Sequence, residues 1–102
     1  LRGYLSEKVG DPIEHYILFY DYVPDVLERR GPYREAHLKR IHEQREAGRI
    51  VMAGALGDPP HGAAIVFGGV GPEEIEAFAR DDPYVEAGLV SGWRCELWKV
   101  VS

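Results

Sequence analysis

One cysteine, Cys95, is all the thiol that this 102-residue chain carries. A disulfide within the chain is impossible, and so is a zinc site built from cysteines. A reducing compartment such as the cytoplasm is therefore the expected location. Cys95 stands in an apolar strand pattern, which reads as a small buried hydrophobe rather than a catalytic thiol. Long apolar runs are absent too, and none approaches the length of a membrane span. The first residues lack the charged-then-apolar order of a secretion signal. Basic patches are equally scarce. The 12 lysines and arginines form no stripe with aromatics between them, and the net charge is −5. The densest basic stretch, Arg29 to Arg45, is interleaved with Glu28, Glu35, Glu43 and Glu46, as on a solvated helical face. Nucleic-acid and membrane partners are therefore not expected.

Several catalytic signatures are missing as well. Ser6, Ser91 and Ser102 are the serines, and none stands in G-x-S-x-G, so serine-hydrolase chemistry has no support. There is no H-E-x-x-H; His37 and His42 are five apart, not the four that align two ligands on one helical face. No metal and no cofactor are expected. Gly68-Gly69-Val70-Gly71 before a helix invites a phosphate-loop reading, but Pro72 removes a donor N–H and Glu73 and Glu74 put negative charge where a phosphate would sit. A plain connection is the better reading.

What remains is an ordinary globular composition on a chain long enough for one domain. Residues 1–12 form an N-terminal extension ending in the turn signal Gly10-Asp11-Pro12, and residues 13–102 form the domain. His15 to Val23 is rich in aromatic and β-branched residues and predicts a first strand. Tyr16, Leu18, Tyr20 and Tyr22 fall on one side of it, Ile17, Phe19 and Val23 on the other, so both faces must be covered. Pro24 to Arg30 suggests a short helical turn. A helix from about Tyr33 to Ala47 follows, with Pro32 suited to its first turn and Gly48 to its C-cap. Leu38 and Ile41 mark its inner stripe, and Arg34 and His37 sit beside that stripe.

Ile50 to Leu56 and Ala63 to Phe67 predict two strands joined by a hairpin over Gly57–His61. A second helix opens at Pro72, with Ile75, Phe78 and Ala79 on its apolar face and Asp82 continuing that stripe to the end fixed by Pro83. Trp93 to Val101 predicts the last strand. The order β-α-β-β-α-β predicts an α+β ferredoxin-like sandwich with an antiparallel four-stranded sheet and helices on one face. The other face, made apolar by strands one and four, is too large to leave wet, so a homodimer through the sheet face is expected.

The candidate chemistry centres on His37 and Asp82. An imidazole partly shielded beside a buried stripe can act as a general base near neutral pH. The plainer alternative is a histidine satisfied by a backbone carbonyl. An inward carboxylate needs a cation, backbone N–H groups or an imidazole N–H to offset its desolvation. A His–Asp pair meets that need and fixes the imidazole tautomer. For Asp82 the plainer alternative is a turn-capping residue before Pro83. The two positions are 45 residues apart, and spacing alone does not join them. His42, His15 and His61 read as surface residues. The strand tyrosines read as core, with one or two free to line a pocket, where a phenol can orient an oxyanion.

Several segments together resemble the YciI-like (YCII-related) family. They are R-E-A-H-L at Arg34–Leu38, then G-R-I-V-M-A-G-A-L at Gly48–Leu56, and D-D-P-Y-V-E-A-G-L at Asp81–Leu89 before a final strand. The resemblance covers nearly the whole chain from the first strand onward. It implies a ferredoxin-like fold that pairs as a dimeric α+β barrel, similar in shape to muconolactone isomerases. It also implies an enzymatic site, and at least one relative eliminates chloride from a chlorinated hydroxyquinol. On this resemblance His37 and Asp82 match the family's catalytic pair. Arg34 matches an arginine one helical turn earlier, and Gly54 a glycine where close backbone approach would help substrate binding. Ala55 departs from the family's usual proline.

Two functions follow as expectations. One is a cofactor-free lyase or isomerase acting on a small, cyclic or enolisable anion, bound by Arg34, with His37 moving a proton and Asp82 orienting His37. The other is a non-catalytic module that binds a small molecule or a partner in the same pocket. An accessory subunit of a hetero-oligomer is a third reading.

Overall fold

The computed structural model describes residues 13–102. The N-terminal extension expected at 1–12 lies outside the described residues. The chain forms β1 (His15–Tyr22), α1 (Val26–Arg29), α2 (Gly31–Glu46), β2 (Ile50–Leu56), β3 (Gly62–Gly68), α3 (Pro72–Arg80), α4 (Pro83–Glu86) and β4 (Val90–Trp98). The strands make one sheet in the order β2-β3-β1-β4, with every neighbouring pair antiparallel. This is the expected α+β ferredoxin-like sandwich.

Strand alternation sorts the residues between two faces. Leu18 and Tyr20 of β1 and Ile65 and Phe67 of β3 point toward the helices and are buried, together with Ile75, Phe78 and Ala79 of α3. Phe67 and Phe78 meet edge to face, with ring centroids 5.4 Å apart, which ties α3 to the sheet. Val70, in the glycine-rich connection, is buried against the same core. That segment thus anchors the turn into α3 by packing.

Two boundaries and the inner stripe of α2 differ from the sequence reading. The last strand is Val90–Trp98, not Trp93–Val101. Gly88, at φ 78°, turns the chain after α4, and the Leu89 N–H donates to the Tyr84 carbonyl, so the chain enters the sheet early. It leaves the sheet at Trp98 because β1 begins opposite, at His15. The second long helix stops at Arg80, and Asp82 opens the short α4 instead of closing the apolar stripe of α3. The inner residues of α2 are His37 and Ile41; Leu38 is only half-buried.

A register shift in β2 matters most for the site. Ile50 pairs with Phe67, but Met52 already pairs with Val66, so Val51 is an extra residue. Ile50 therefore faces the core, while Ala53 and Ala55, rather than Met52 and Gly54, face the helices. Small side chains thus line the sheet beneath α2 and leave space between helix and strand.

Candidate functional site

Asp82 is brought inward by backbone constraint. Pro83 disfavours helical geometry at the residue before it, and Asp82 is extended, at φ −72° and ψ 128°. Its side chain folds over the start of α4, where Oδ1 accepts from the Tyr84 N–H at 2.9 Å. Asp82 is a cap, as the plainer reading had it, but the cap is 1% exposed and has further partners.

From β1, the Tyr20 hydroxyl donates to Asp82 Oδ2 at 2.8 Å. From α2, His37 Nδ1 lies 2.9 Å from Oδ1 and 3.0 Å from Oδ2. As a carboxylate, Asp82 only accepts, so the hydrogen between them belongs to Nδ1. That leaves the lone pair of the neutral ring on Nε2. His37 is itself 6% exposed. Its ring lies flat on Tyr84, with centroids 3.8 Å apart and planes 5° apart. Tyr22 meets Tyr84 edge-on at 6.1 Å. The imidazole is thus held by one hydrogen-bonded edge and one stacked face.

α2 is held in register by Arg40, whose Nη1 donates to the Phe78 carbonyl at 3.0 Å while its guanidinium lies 4.3 Å over the Phe78 ring.

His37 opens onto a cleft of about 320 Å³ between α2 and the β2–β3 edge of the sheet. This is the lower end of the volumes that hold small molecules. Its floor is Ala53, Gly54, Ala55, Ala63 and Ile65; its walls include Tyr22, Arg30, Arg34, His42, Arg45 and Tyr84. Arg34 and Gly54, the two expected binding residues, both line it. Among the described residues a methyl at Gly54 would meet nothing within 4 Å, so no close approach there demands a glycine. His42 is exposed, as expected, but stands on the cleft wall; His61 is exposed, and His15 is half-buried rather than exposed.

The phenols are kept neutral. Burial, followed by the Asp82 charge and the hydrogen bond to it, pushes the Tyr20 hydroxyl well above its ordinary value. Burial, with Tyr84 and Asp82 adding and Arg30 and Arg34 opposing, pushes Tyr22 up to about 12. Both are therefore donors at neutral pH. The Tyr84 hydroxyl is buried without a hydrogen-bond partner among the described residues, which is uncommon for a polar atom shielded from water. Cys95 is half-buried against the core, and burial, with Glu76, pushes its thiol upward, which opposes thiolate chemistry. Among the described residues no three His, Cys, Asp or Glu side chains gather as metal ligands, and no helix is long and apolar enough to cross a membrane.

Sequence reasoning did not single out the donation from Tyr20, the Tyr84 stack, or Arg30 and Arg45. The strand alternation does place Tyr20 and Tyr22 on the helix-facing side. Nothing in the spacing reveals which carboxylate Tyr20 meets, because that depends on the break after α3.

Residues 15–99 match the family described as the YCII-related domain. The chain belongs to the YCII-related family. Among its YCII-related relatives, an uncharacterized protein of Haemophilus influenzae is 32% identical, covering 74% of this chain and 86% of the relative. The YciI protein of Escherichia coli is 31% identical over 72% of this chain and 85% of its own length. A solved structure with a TM-score of 0.72 covers 85% of this chain and 95% of its own, at 21% identity. It is the 5-chloro-2-hydroxyhydroquinone dehydrochlorinase of Burkholderia phenoliruptrix in complex with 2,5-dihydroxybenzoquinone. At that identity the likeness shows a shared YCII-type fold.

Proposed function

We propose that this protein is a cofactor-free enzyme of lyase or isomerase type that moves a proton on a small cyclic or enolisable anion. The observation that carries the reading is the His37–Asp82 pair at 2.9 Å, buried on one side and open to the cleft on the other. The neighbouring fold of a dehydrochlorinase bound to a dihydroxybenzoquinone supports a hydroxylated ring as the kind of substrate.

The chemistry follows from the geometry. Nε2 of His37 takes a proton from an acidic C–H or O–H of the bound anion, and the electron pair moves onto the substrate's oxygen. Asp82 holds the ring orientation and stabilises the imidazolium that forms. Arg34, on the cleft wall, offsets the negative charge that grows on the oxygen. The proton then returns to another atom of the same molecule, giving an isomer, or a leaving group such as chloride departs with the electron pair while His37 passes its proton to water, giving elimination of HCl overall. General acid–base catalysis of this kind contributes about 10²–10⁴-fold.

The active form is proposed to be a homodimer in the cytoplasm. The sheet face away from the helices carries Met52, 60% exposed, and Trp98, 44% exposed, with Ile17, Phe19 and Val66 between them. A second copy would cover that face.

The test is a screen of chlorinated and unchlorinated hydroxyquinols and related enolisable ring anions, following chloride release and spectral change. With a substrate in hand, His37→Ala and Asp82→Asn are expected to fold and to lose turnover by at least 100-fold. Full activity in both variants would end the proton-transfer reading. Binding with no turnover of any panel member would favour the non-catalytic module.

A further inference from the structure

The cleft-facing side of α2 is unusual for a helix packed on a sheet. Arg34, Leu38, Ile41 and Arg45 follow one another at three- and four-residue steps, so they share a face. That face has a cation at each end and an apolar middle, and all four residues line the cleft. Arg34 and Arg45 are eleven positions apart, about 16 Å along the helix axis. His37 lies one turn from Arg34, and Arg30 and Tyr22 line the same cleft. His42 lies one turn before Arg45.

The charge is one-sided. Among the described residues, three arginines and two histidines line the cleft, and no aspartate or glutamate does. The chain as a whole carries −5. Among the described residues, none of Arg30, Arg34 and Arg45 forms an ion pair, although Arg29 pairs with Asp25 and Arg94 with Glu96 elsewhere. Ala53, Ala55 and Ala63 supply an apolar floor to the same cleft. Burial keeps Tyr22 a neutral donor at the His37 end.

We infer that the cleft takes a ligand with two anionic groups joined by a flat apolar body, one held at Arg30–Arg34 beside His37 and the other at Arg45–His42. This rests on the proposed function, whose reacting anion is the group at the Arg34 end; the second anion and its subsite are new. The Arg45 end anchors the part of the ligand that does not react. Binding energy gathered there holds the reacting end against Nε2 of His37. Neutral rings and single anions of the same size fill the apolar middle and bind less tightly.

The test uses the full chain and two pairs of probes, benzoate with benzene-1,4-dicarboxylate and biphenyl-4-carboxylate with biphenyl-4,4′-dicarboxylate. Affinities are read by calorimetry, with amide shifts locating the site. At least one dicarboxylate is expected to bind about tenfold more tightly than its monocarboxylate. Arg45→Gln, at an exposed position, removes that advantage and brings each dicarboxylate down to about the affinity of its monocarboxylate. Arg34→Gln weakens both members of the pair. Equal affinities within both pairs, or an advantage that survives Arg45→Gln, would overturn the two-ended ligand. If a monocarboxylate binds and is lost with Arg34→Gln while the second carboxylate adds nothing, the distal subsite fails and the proposed reacting end stands. If no probe binds at millimolar concentration, the distal subsite and the anion-binding part of the proposed function fall together.

Discussion

Asp82 accepts hydrogen bonds from a strand phenol, a helix N-terminal amide and an imidazole while 1% exposed. Each donor offsets part of the desolvation that a buried carboxylate incurs. Tyr20→Phe leaves the packing volume and removes one donor, and is expected to cost about 1.5–3 kcal/mol, the range for hydrogen bonds to charged groups, in urea denaturation. A loss below half a kcal/mol would mean that Asp82 does not depend on Tyr20. Tyr84→Phe is the contrasting case. Its hydroxyl has no partner among the described residues, so its removal is expected to leave stability unchanged or slightly raised. A loss of more than 1 kcal/mol would reveal a partner for that hydroxyl. The tyrosines also set an alkaline limit. Tyr20 and Tyr22 both ionise above the ordinary value of about 10 in the folded protein, Tyr22 near 12. Between those values the unfolded chain has lost protons that the folded chain keeps. Their contribution to stability is therefore complete below pH 10 and declines as pH rises toward 12. Tyr22→Phe is expected to flatten the fall in stability over that window, and an unchanged slope would contradict the assignment.

At the scale of elements, the site exists because two segments end abruptly and one strand slips. The Pro83 break turns Asp82 inward, the α4 cap fixes it, and the extra residue at Val51 places Ala53 and Ala55 under α2. β1 supplies Tyr20 only while its pairing with β3 stays close. A Cβ at Gly62 would collide with the Tyr20 carbonyl oxygen. Gly62→Ala is thus expected to cost about 1–3 kcal/mol and to shift the His37 ring resonances through Tyr20 and Asp82. Full stability with unmoved resonances would show that β1 is not the element that sets Asp82. These elements also show what the sequence could reveal. The strand and helix order, the inward side of β1 and the non-helical Asp82 before Pro83 were legible, because alternation and proline constraint are local; the end of α3 at Arg80 and the short α4 were not. The meeting of His37 with Asp82 was suggested by charge burial but not by spacing. The slip at Val51 was not legible, since a bulge leaves the composition of β2 unchanged and reverses which side chains face the core.

At the scale of the molecule, one sheet face carries the helices and the cleft, and the other presents an apolar surface crossed by the Arg94–Glu96 pair. Arg94 lies 4.3 Å over the Phe19 ring on that face. Light scattering on the purified chain is expected to give twice the chain mass at micromolar concentration. Replacing exposed Met52 and Trp98 together by glutamate is expected to give folded monomers, because charge on a buried apolar interface opposes pairing. A monomeric wild type would leave that face for another occupant.

The reading of the site depends on a neutral His37 with its hydrogen on Nδ1 and a bare Nε2 facing the cleft. Nitrogen-15 chemical shifts of the imidazole, recorded at mildly alkaline pH on the wild type and on Asp82→Asn, measure this directly. The wild type should show His37 almost wholly in the Nδ1–H form, unlike exposed His61, and Asp82→Asn should lose that preference. A His37 that carries its hydrogen on Nε2, or that does not respond to Asp82→Asn, would contradict the account.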